Sequence, residues 1–160
     1  MKESIERSIF WVGFVAEENL YNALEQIKEF AKEDNNAPIK LFITSSGGAL
    51  EPAIALYDFI VMTGIELHTI VIGEADSAAI VLLAAGKKRS MGPNSRMGLH
   101  KGKVLEGGEA FETENAERER YLQILSKASS TSFEEWKEFL KEEKEVDPQE
   151  AFRLGIITEA

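Results

Sequence analysis

The stretch that decides the fold runs Ile65-Glu66-Leu67-His68-Thr69-Ile70-Val71-Ile72-Gly73-Glu74-Ala75-Asp76-Ser77-Ala78-Ala79-Ile80-Val81-Leu82-Leu83-Ala84-Ala85-Gly86. Ile65 to Ile72 is rich in β-branched residues and reads as a buried strand. Gly73-Glu74-Ala75-Asp76 leads into a very apolar segment, Ser77 to Ala85, which reads as a helix. A strand that hands directly to a helix is half of a βαβ unit. The same order recurs upstream. Ile9 to Val15 reads as a strand. Glu17 to Lys32 reads as a helix, with Leu20, Ala23, Leu24, Ile27 and Phe30 at helical spacing, and Asp34-Asn35-Asn36 ends it. Ile39 to Thr44 is a second strand, followed by Ser45-Ser46-Gly47-Gly48. Leu50 to Met62 is a second helix, stopped by Gly64 as a C-cap glycine would stop it. Downstream, Lys88 to Met91 and Arg96 to Leu99 are short strands around Pro93-Asn94. The alternation predicts an α/β fold with parallel strands joined by right-handed crossovers. No internal repeat or low-complexity linker is visible, so residues 1–160 read as one domain.

Composition narrows the function. The chain has 160 residues and no cysteine. That removes disulfides, cysteine-based zinc sites, iron–sulfur clusters and a cysteine nucleophile, and it fits a cytoplasmic setting. Asp plus Glu number 28 against 18 Lys plus Arg, a net charge of −10. Such a surface repels phosphate backbones, which argues against a nucleic-acid partner. The longest apolar run, Ala78 to Ala85, is far short of the roughly 18 residues a membrane span needs. Ser8 to Ala16 resembles a signal-peptide core, but Glu3 and Glu6 stand where positive charge belongs, so a first strand is the better reading. Between Leu105 and Glu150 lie 14 acidic and 6 basic residues, which reads as a solvated helical region. Within it, Ser132 and Glu135 form a capping box ahead of Phe133, Trp136, Phe139 and Leu140. Pro148 opens a short helix through Arg153.

Three segments carry candidate chemistry at the ends of elements. Ser46-Gly47-Gly48 sits between a strand and a helix, where bare N–H groups can hold an anion, including the oxyanion of a tetrahedral intermediate. The plain alternative is an ordinary βα turn. Ser77 opens a helix after a buried strand, at the carboxyl end where open α/β sheets carry their sites. The Ala78 N–H lies next to it. The alternative is an N-cap serine. The third segment is Arg96-Met97-Gly98-Leu99-His100. Of the two histidines, His68 lies within a strand, whereas His100 closes one and precedes Lys101-Gly102-Lys103. Histidine is the usual general base for a serine hydroxyl. A triad also needs an acid. If the helix from Phe133 continues, Glu143 follows Trp136 by seven and Leu140 by three and faces inward. Asp147 and Asp76 remain competitors.

Taken together these segments resemble the Clp protease proteolytic subunit (ClpP) family, serine peptidases with a crotonase-like fold. The resemblance covers roughly Ile9 to Glu159. The family's Ser-Pro-Gly-Gly turn is similar to Ser45-Ser46-Gly47-Gly48, and its Gly-Gln-Ala-Ala-Ser-Met-Gly-Ala to Gly73 through Ile80. Its Leu-Leu-Ala-Ala-Gly stands at Leu82 to Gly86, and its Pro-Asn-Ser-Arg-x-x-x-His at Pro93 to His100. Its ending, Ala-x-Glu-Ala-x-x-x-Gly-Leu-Ile, resembles Pro148 to Ile157.

The resemblance implies a repeated β-β-α superhelix with parallel sheets and a C-terminal helical segment. Residues 104–132 then form a trimmed handle. It implies Ser77 as nucleophile, His100 as base, and the Gly48 and Ala78 N–H groups as the oxyanion hole. The family's acid, seven residues before its Glu-Ala pair, falls on Glu143, a Glu in place of Asp. It implies polypeptide substrates, no cofactor or metal, a homo-oligomeric ring of the heptamer type, and an unfolding ATPase as partner. Several residues depart from the family pattern. Ser46 replaces a proline, Asp76 puts a charge beside the nucleophile, and Ala78 and Ala79 replace Met and Gly. Glu142 and Lys144 flank the acid where the family has an Arg used in ring–ring contact. Two rival readings follow: a ring-forming but inactive paralogue, and an acyl-CoA enzyme of the crotonase fold.

Overall fold

β3 (Leu67–Asp76) is the strand on which the sheet is built. The structure, a computed structural model, describes residues 2, 4–99, 103–106, 109–112 and 115–160, with side chains described for 2, 4–99 and 116–160. On one side of β3 lie β2 (Ile39–Ser45) and then β1 (Ser8–Val12), all parallel. Its other side is shared. β4 (Lys88–Met91) pairs with His68–Val71, and β5 (Arg96–Gly98) pairs with Glu74–Asp76, both parallel. The parallel α/β order read from the sequence is therefore observed, with α1 (Glu17–Glu33), α2 (Leu50–Thr63) and α3 (Ala79–Ala84) as its crossovers.

β3 runs four residues further than its sequence suggests, through Gly73-Glu74-Ala75-Asp76. A bulge allows this. Ile43 pairs with Val71 but Ser45 pairs with Ala75, so β3 holds extra residues across from β2. Gly73 takes φ 81 there, a left-handed backbone open to glycine. Ser95 stitches the bulge: its hydroxyl donates to the Val71 carbonyl at 3.1 Å and accepts the Gly73 N–H at 3.0 Å. The bulge re-aims the end of β3 and delivers Ser77.

The core lies between the sheet and its helices. Leu41, Ile43, Leu67 and Val71 are buried with Trp11, and all six residues of α3 are buried. Thr69 inside β3 donates its hydroxyl to the Leu83 carbonyl at 2.7 Å, so a buried polar group finds its partner. Gly64 caps α2 in the left-handed region, as expected. Arg89 ties the C-terminal ends of helices together. It donates to the Ile156 carbonyl at 2.7 Å, to Gly86 at 3.0 Å and to Ala128. A guanidinium among carbonyls at helix ends is favoured by the helix dipoles.

The C-terminal half departs from the sequence reading. β6 (Lys103–Glu106) and β7 (Glu109–Glu112) pair antiparallel ahead of α4 (Asn115–Ala128). α5 (Phe133–Lys141) begins with the expected capping box of Ser132 and Glu135 but stops at Lys141. Glu143 takes φ 48 and is exposed. The helical-stripe argument that turned Glu143 inward thus fails, because the helix ends two residues before it. β8 (Glu145–Val146) then adds antiparallel to β5, and α6 (Pro148–Leu154) follows with Asp147 as its N-cap. Among the described residues no helix is long and apolar enough to cross a membrane, and no cluster is placed to hold a metal ion.

Candidate active site

The carboxyl ends of β2 and β3 meet at one point. A methyl group on Gly47 would sit 2.9 Å from the Asp76 carbonyl and 3.1 Å from the Ser77 Cβ, so the glycine turn lies directly against the serine. Gly47 and Gly48 take φ 100 and 147, conformations that favour glycine. Gly48 has a second constraint: an added Cβ would fall 2.5 Å from the Val15 carbonyl. Val15 docks on this turn by donating to the Gly47 carbonyl at 2.8 Å and accepting from Ala49 at 2.9 Å. That parallel bridge uses the amides on either side of Gly48 and leaves the Gly48 N–H out. Ser45 steadies the turn, its hydroxyl accepting the Gly47 N–H at 3.1 Å.

Ser77 takes φ 54, one of three described non-glycine residues in the left-handed region. This costs about 1 kcal/mol in an L-residue and persists only where the surroundings impose it. The surroundings are specific. The Ser77 N–H donates to the Gly98 carbonyl at 3.1 Å, and its own carbonyl accepts from the Ile80 N–H at 3.0 Å and from the Tyr121 hydroxyl at 3.2 Å. The N-cap alternative for Ser77 is set aside by this arrangement. α3 starts two residues later, Ala78 occupies the cap position without a side-chain cap, and the Ile80 N–H uses the Ser77 carbonyl. Among the described residues, neither the Gly48 N–H nor the Ala78 N–H donates a hydrogen bond. Two unused amide donors therefore flank one strained serine.

Asp76, one residue before the serine, lies across from Gly98 in the β3–β5 register. A Cβ on Gly98 would fall 2.5 Å from Asp76 Oδ1, so the glycine makes room for the carboxylate. Among the described residues that oxygen is buried without a hydrogen bond, 3.7 Å from Arg96. Arg96 also binds Glu74 and Glu145, each at 2.7 Å, and so joins β3, β5 and β8. Burial, with the Asp76 carboxylate adding to it, holds the Tyr121 phenol above its ordinary pKa, so it stays a protonated donor. The roles of Tyr121 and Arg96 are absent from the sequence reading: Tyr121 stands in no pattern that marks it, and Arg96 enters only as a member of the Pro93 to His100 motif, with no role of its own.

Of the candidate acids, Asp147 is used as a helix cap, accepting the Glu150 N–H at 2.8 Å. Glu143 lies in the turn between α5 and β8, and its N–H donates to the Leu140 carbonyl at 3.3 Å. His100, the candidate base, lies outside the described residues. Its neighbour Leu99 is buried and donates its N–H to the Lys144 carbonyl at 3.3 Å. The two segments that carry the candidate base and acid thus run side by side.

Comparison with known proteins agrees with the fold. A family model described as Clp protease matches residues 3–160. The chain is 31% identical over 163 residues to the ATP-dependent Clp protease proteolytic subunit 1 of Thermobifida fusca, covering 95% of this chain and 73% of that protein. It is 31% identical over 160 residues to the proteolytic subunit of Carsonella ruddii, covering 95% and 82%. It is 30% identical over 142 residues to the chloroplastic proteolytic subunit 4 of Arabidopsis thaliana, covering 84% of this chain and 49% of that relative, about half its length. A ClpP1 variant from Listeria monocytogenes superposes with a TM-score of 0.82 at 24% identity, covering 94% of this chain and 88% of that one, a likeness of fold. A match over nearly the whole length, on a sheet of this topology, means that the chain belongs to the Clp protease family.

Proposed function

We propose that this protein is a serine endopeptidase of the Clp type, hydrolysing polypeptides through an acyl-enzyme inside an oligomeric ring in the cytoplasm. The observation that carries the reading is the strained Ser77, φ 54, set against the glycine turn with two unused amide donors beside it. In this reading the Ser77 hydroxyl attacks the scissile carbonyl while His100 takes its proton. The Gly48 and Ala78 N–H groups stabilise the oxyanion. His100 returns the proton to the leaving amine, and water then hydrolyses the acyl-enzyme. Glu143 orients the histidine and stabilises the imidazolium. The pairing of β5 with β8 supports this assignment. Met97 pairs with Val146 and Gly98 with Glu145, and Leu99 bonds Lys144. Glu143 directly precedes Lys144 in that segment.

The ring finds support in the outer face of the sheet. Phe10, Val12 and Ile72 are 55%, 63% and 37% exposed there, and Phe10 stacks on Phe42 at 5.1 Å. A contiguous apolar face of this kind is suited to burial against a second copy. An unfolding ATPase that feeds the ring belongs to the same reading by family membership.

Asp76 favours a second reading, an inactive ring-forming paralogue. Its buried, unbonded carboxylate oxygen lies one residue from the nucleophile, and a negative charge there opposes a developing oxyanion. Intact-mass analysis after incubation with a fluorophosphonate separates the two. One adduct on the wild type and none on Ser77→Ala supports the peptidase. No adduct on a folded, assembled wild type overturns it in favour of the paralogue.

A further inference from the structure

The carbonyl of Ser77 and the N–H of Ala78 belong to one peptide plane, and in a trans peptide they point in opposite directions. Whatever holds the carbonyl therefore aims the amide. Two donors hold it here. One is local, the Ile80 N–H at 3.0 Å from the first turn of α3. The other is the Tyr121 hydroxyl at 3.2 Å, from a helix 44 residues further along the chain. Tyr121 is 8% exposed and packs beside Leu122 and Leu125, which anchor α4 in the core. Its hydroxyl reaches the peptide from a fixed base. The Ala78 amide on the far side of that plane donates to nothing among the described residues.

The geometry points to Tyr121 as a positioning residue for the oxyanion hole, holding the Ser77–Ala78 peptide so that the Ala78 N–H is presented to substrate. This inference rests on the reading of Ser77 as the nucleophile. Two consequences follow from the bond. Donation into the carbonyl polarises the peptide and makes its N–H a stronger donor. It also opposes a flip of this peptide, which would break both bonds to the Ser77 carbonyl and swing the Ala78 N–H away. The handle helix is thereby coupled to the donor that receives the transition-state charge. Burial beside Asp76 keeps the phenol protonated, so the donor is present throughout the neutral range.

Tyr121→Phe removes this hydroxyl and little else. The sequence allows the contact to be read directly, because Ser-Ala occurs once, at Ser77-Ala78. Protein made with carbonyl-13C serine and 15N alanine gives one carbonyl–amide correlation, from this peptide alone. The expected result is an upfield move of that carbonyl in Tyr121→Phe. Fluorophosphonate labelling and kcat fall roughly 5- to 20-fold, with KM for a short peptide unchanged, as poorer presentation of one transition-state donor requires. A carbonyl resonance that coincides in the two proteins, or a labelling rate that does not change, overturns the proposal. A rise in KM with kcat preserved overturns it too, since that marks a binding wall and not a positioned donor. If Tyr121→Phe fails to fold, Tyr121→Met removes the same donor with a flexible apolar side chain, and the same two quantities are read. A wild type that takes no label overturns the peptidase reading and the catalytic role with it. The carbonyl shift still decides, separately, whether Tyr121 holds the peptide.

Discussion

Two strand-to-helix junctions meet at the candidate site and solve the same geometric problem differently. The β2–α2 junction turns through Gly47 and Gly48 at φ 100 and 147, where glycine adopts the backbone without strain. The β3–α3 junction turns through Ser77 at φ 54, where an L-residue is strained. The first contributes only backbone, so glycine is sufficient. The second contributes a side chain, so the strain is accepted and held in place by Gly98, Ile80 and Tyr121. Strain at one junction and ease at the other is what a site with one side-chain role and one backbone role requires.

The sharpest way to break this comparison is to exchange the solutions. Ser77→Gly gives the second junction the freedom of the first. We expect complete loss of fluorophosphonate labelling together with a gain in stability, up to about 1 kcal/mol from relieved strain, less what glycine adds to unfolded-state entropy. Denaturant titration checks the second part, and a stability loss comparable to that of an ordinary glycine substitution would show that Ser77 is unstrained. The reverse exchange, Gly48→Ala, gives the first junction a side chain. Its Cβ would fall 2.5 Å from the Val15 carbonyl at a φ of 147. We expect a loss of about 2–4 kcal/mol and slower labelling, because the Val15 bridge must shift and carries the Gly48 amide with it.

The smallest effect concerns the bond that holds the second junction. The Tyr121 phenol has a folded pKa raised above its unfolded value of about 10. A group raised in this way stabilises the fold fully below the unfolded value, and that contribution declines as pH rises through 10 and beyond. Denaturation midpoints measured between pH 8 and pH 11 are therefore expected to fall more steeply in the wild type than in Tyr121→Phe, which has no phenol to ionise. Tyr57, whose phenol is also raised by burial, contributes the same background slope to both. Parallel curves would mean that Tyr121 titrates as a solvated tyrosine.

The elements most legible in the sequence were those whose signals are local. The helices at Glu17 and Leu50 showed their apolar spacing, Gly64 its cap, and Ser132 with Glu135 their capping box, and all stand in the structure. The end of β3 was less legible, because Gly73 reads as a strand terminator when its neighbours are unknown. In the fold it is a bulge, stitched by Ser95 from 22 residues away. Glu143 shows the opposite failure. Helical periodicity carried it inward, but α5 ends at Lys141, and the segment pairs instead with β5 as β8. Such a two-residue strand has no sequence pattern of its own. Its pairing is settled by what the partner strand leaves open.

The amino-acid sequence by itself determined the α/β alternation, the glycine turn, and the serine that follows a buried strand, since propensity, periodicity and turn chemistry act between near neighbours. Only the tertiary structure decided that the turn lies against Ser77, that Gly48 and Ala78 keep amides unused among the described residues, that Asp76 fits because Gly98 has no side chain, and that Tyr121 holds the Ser77 carbonyl. These are contacts between residues far apart in sequence. They exist because sheet register and helix packing bring them within a few ångströms, and no local pattern encodes that distance.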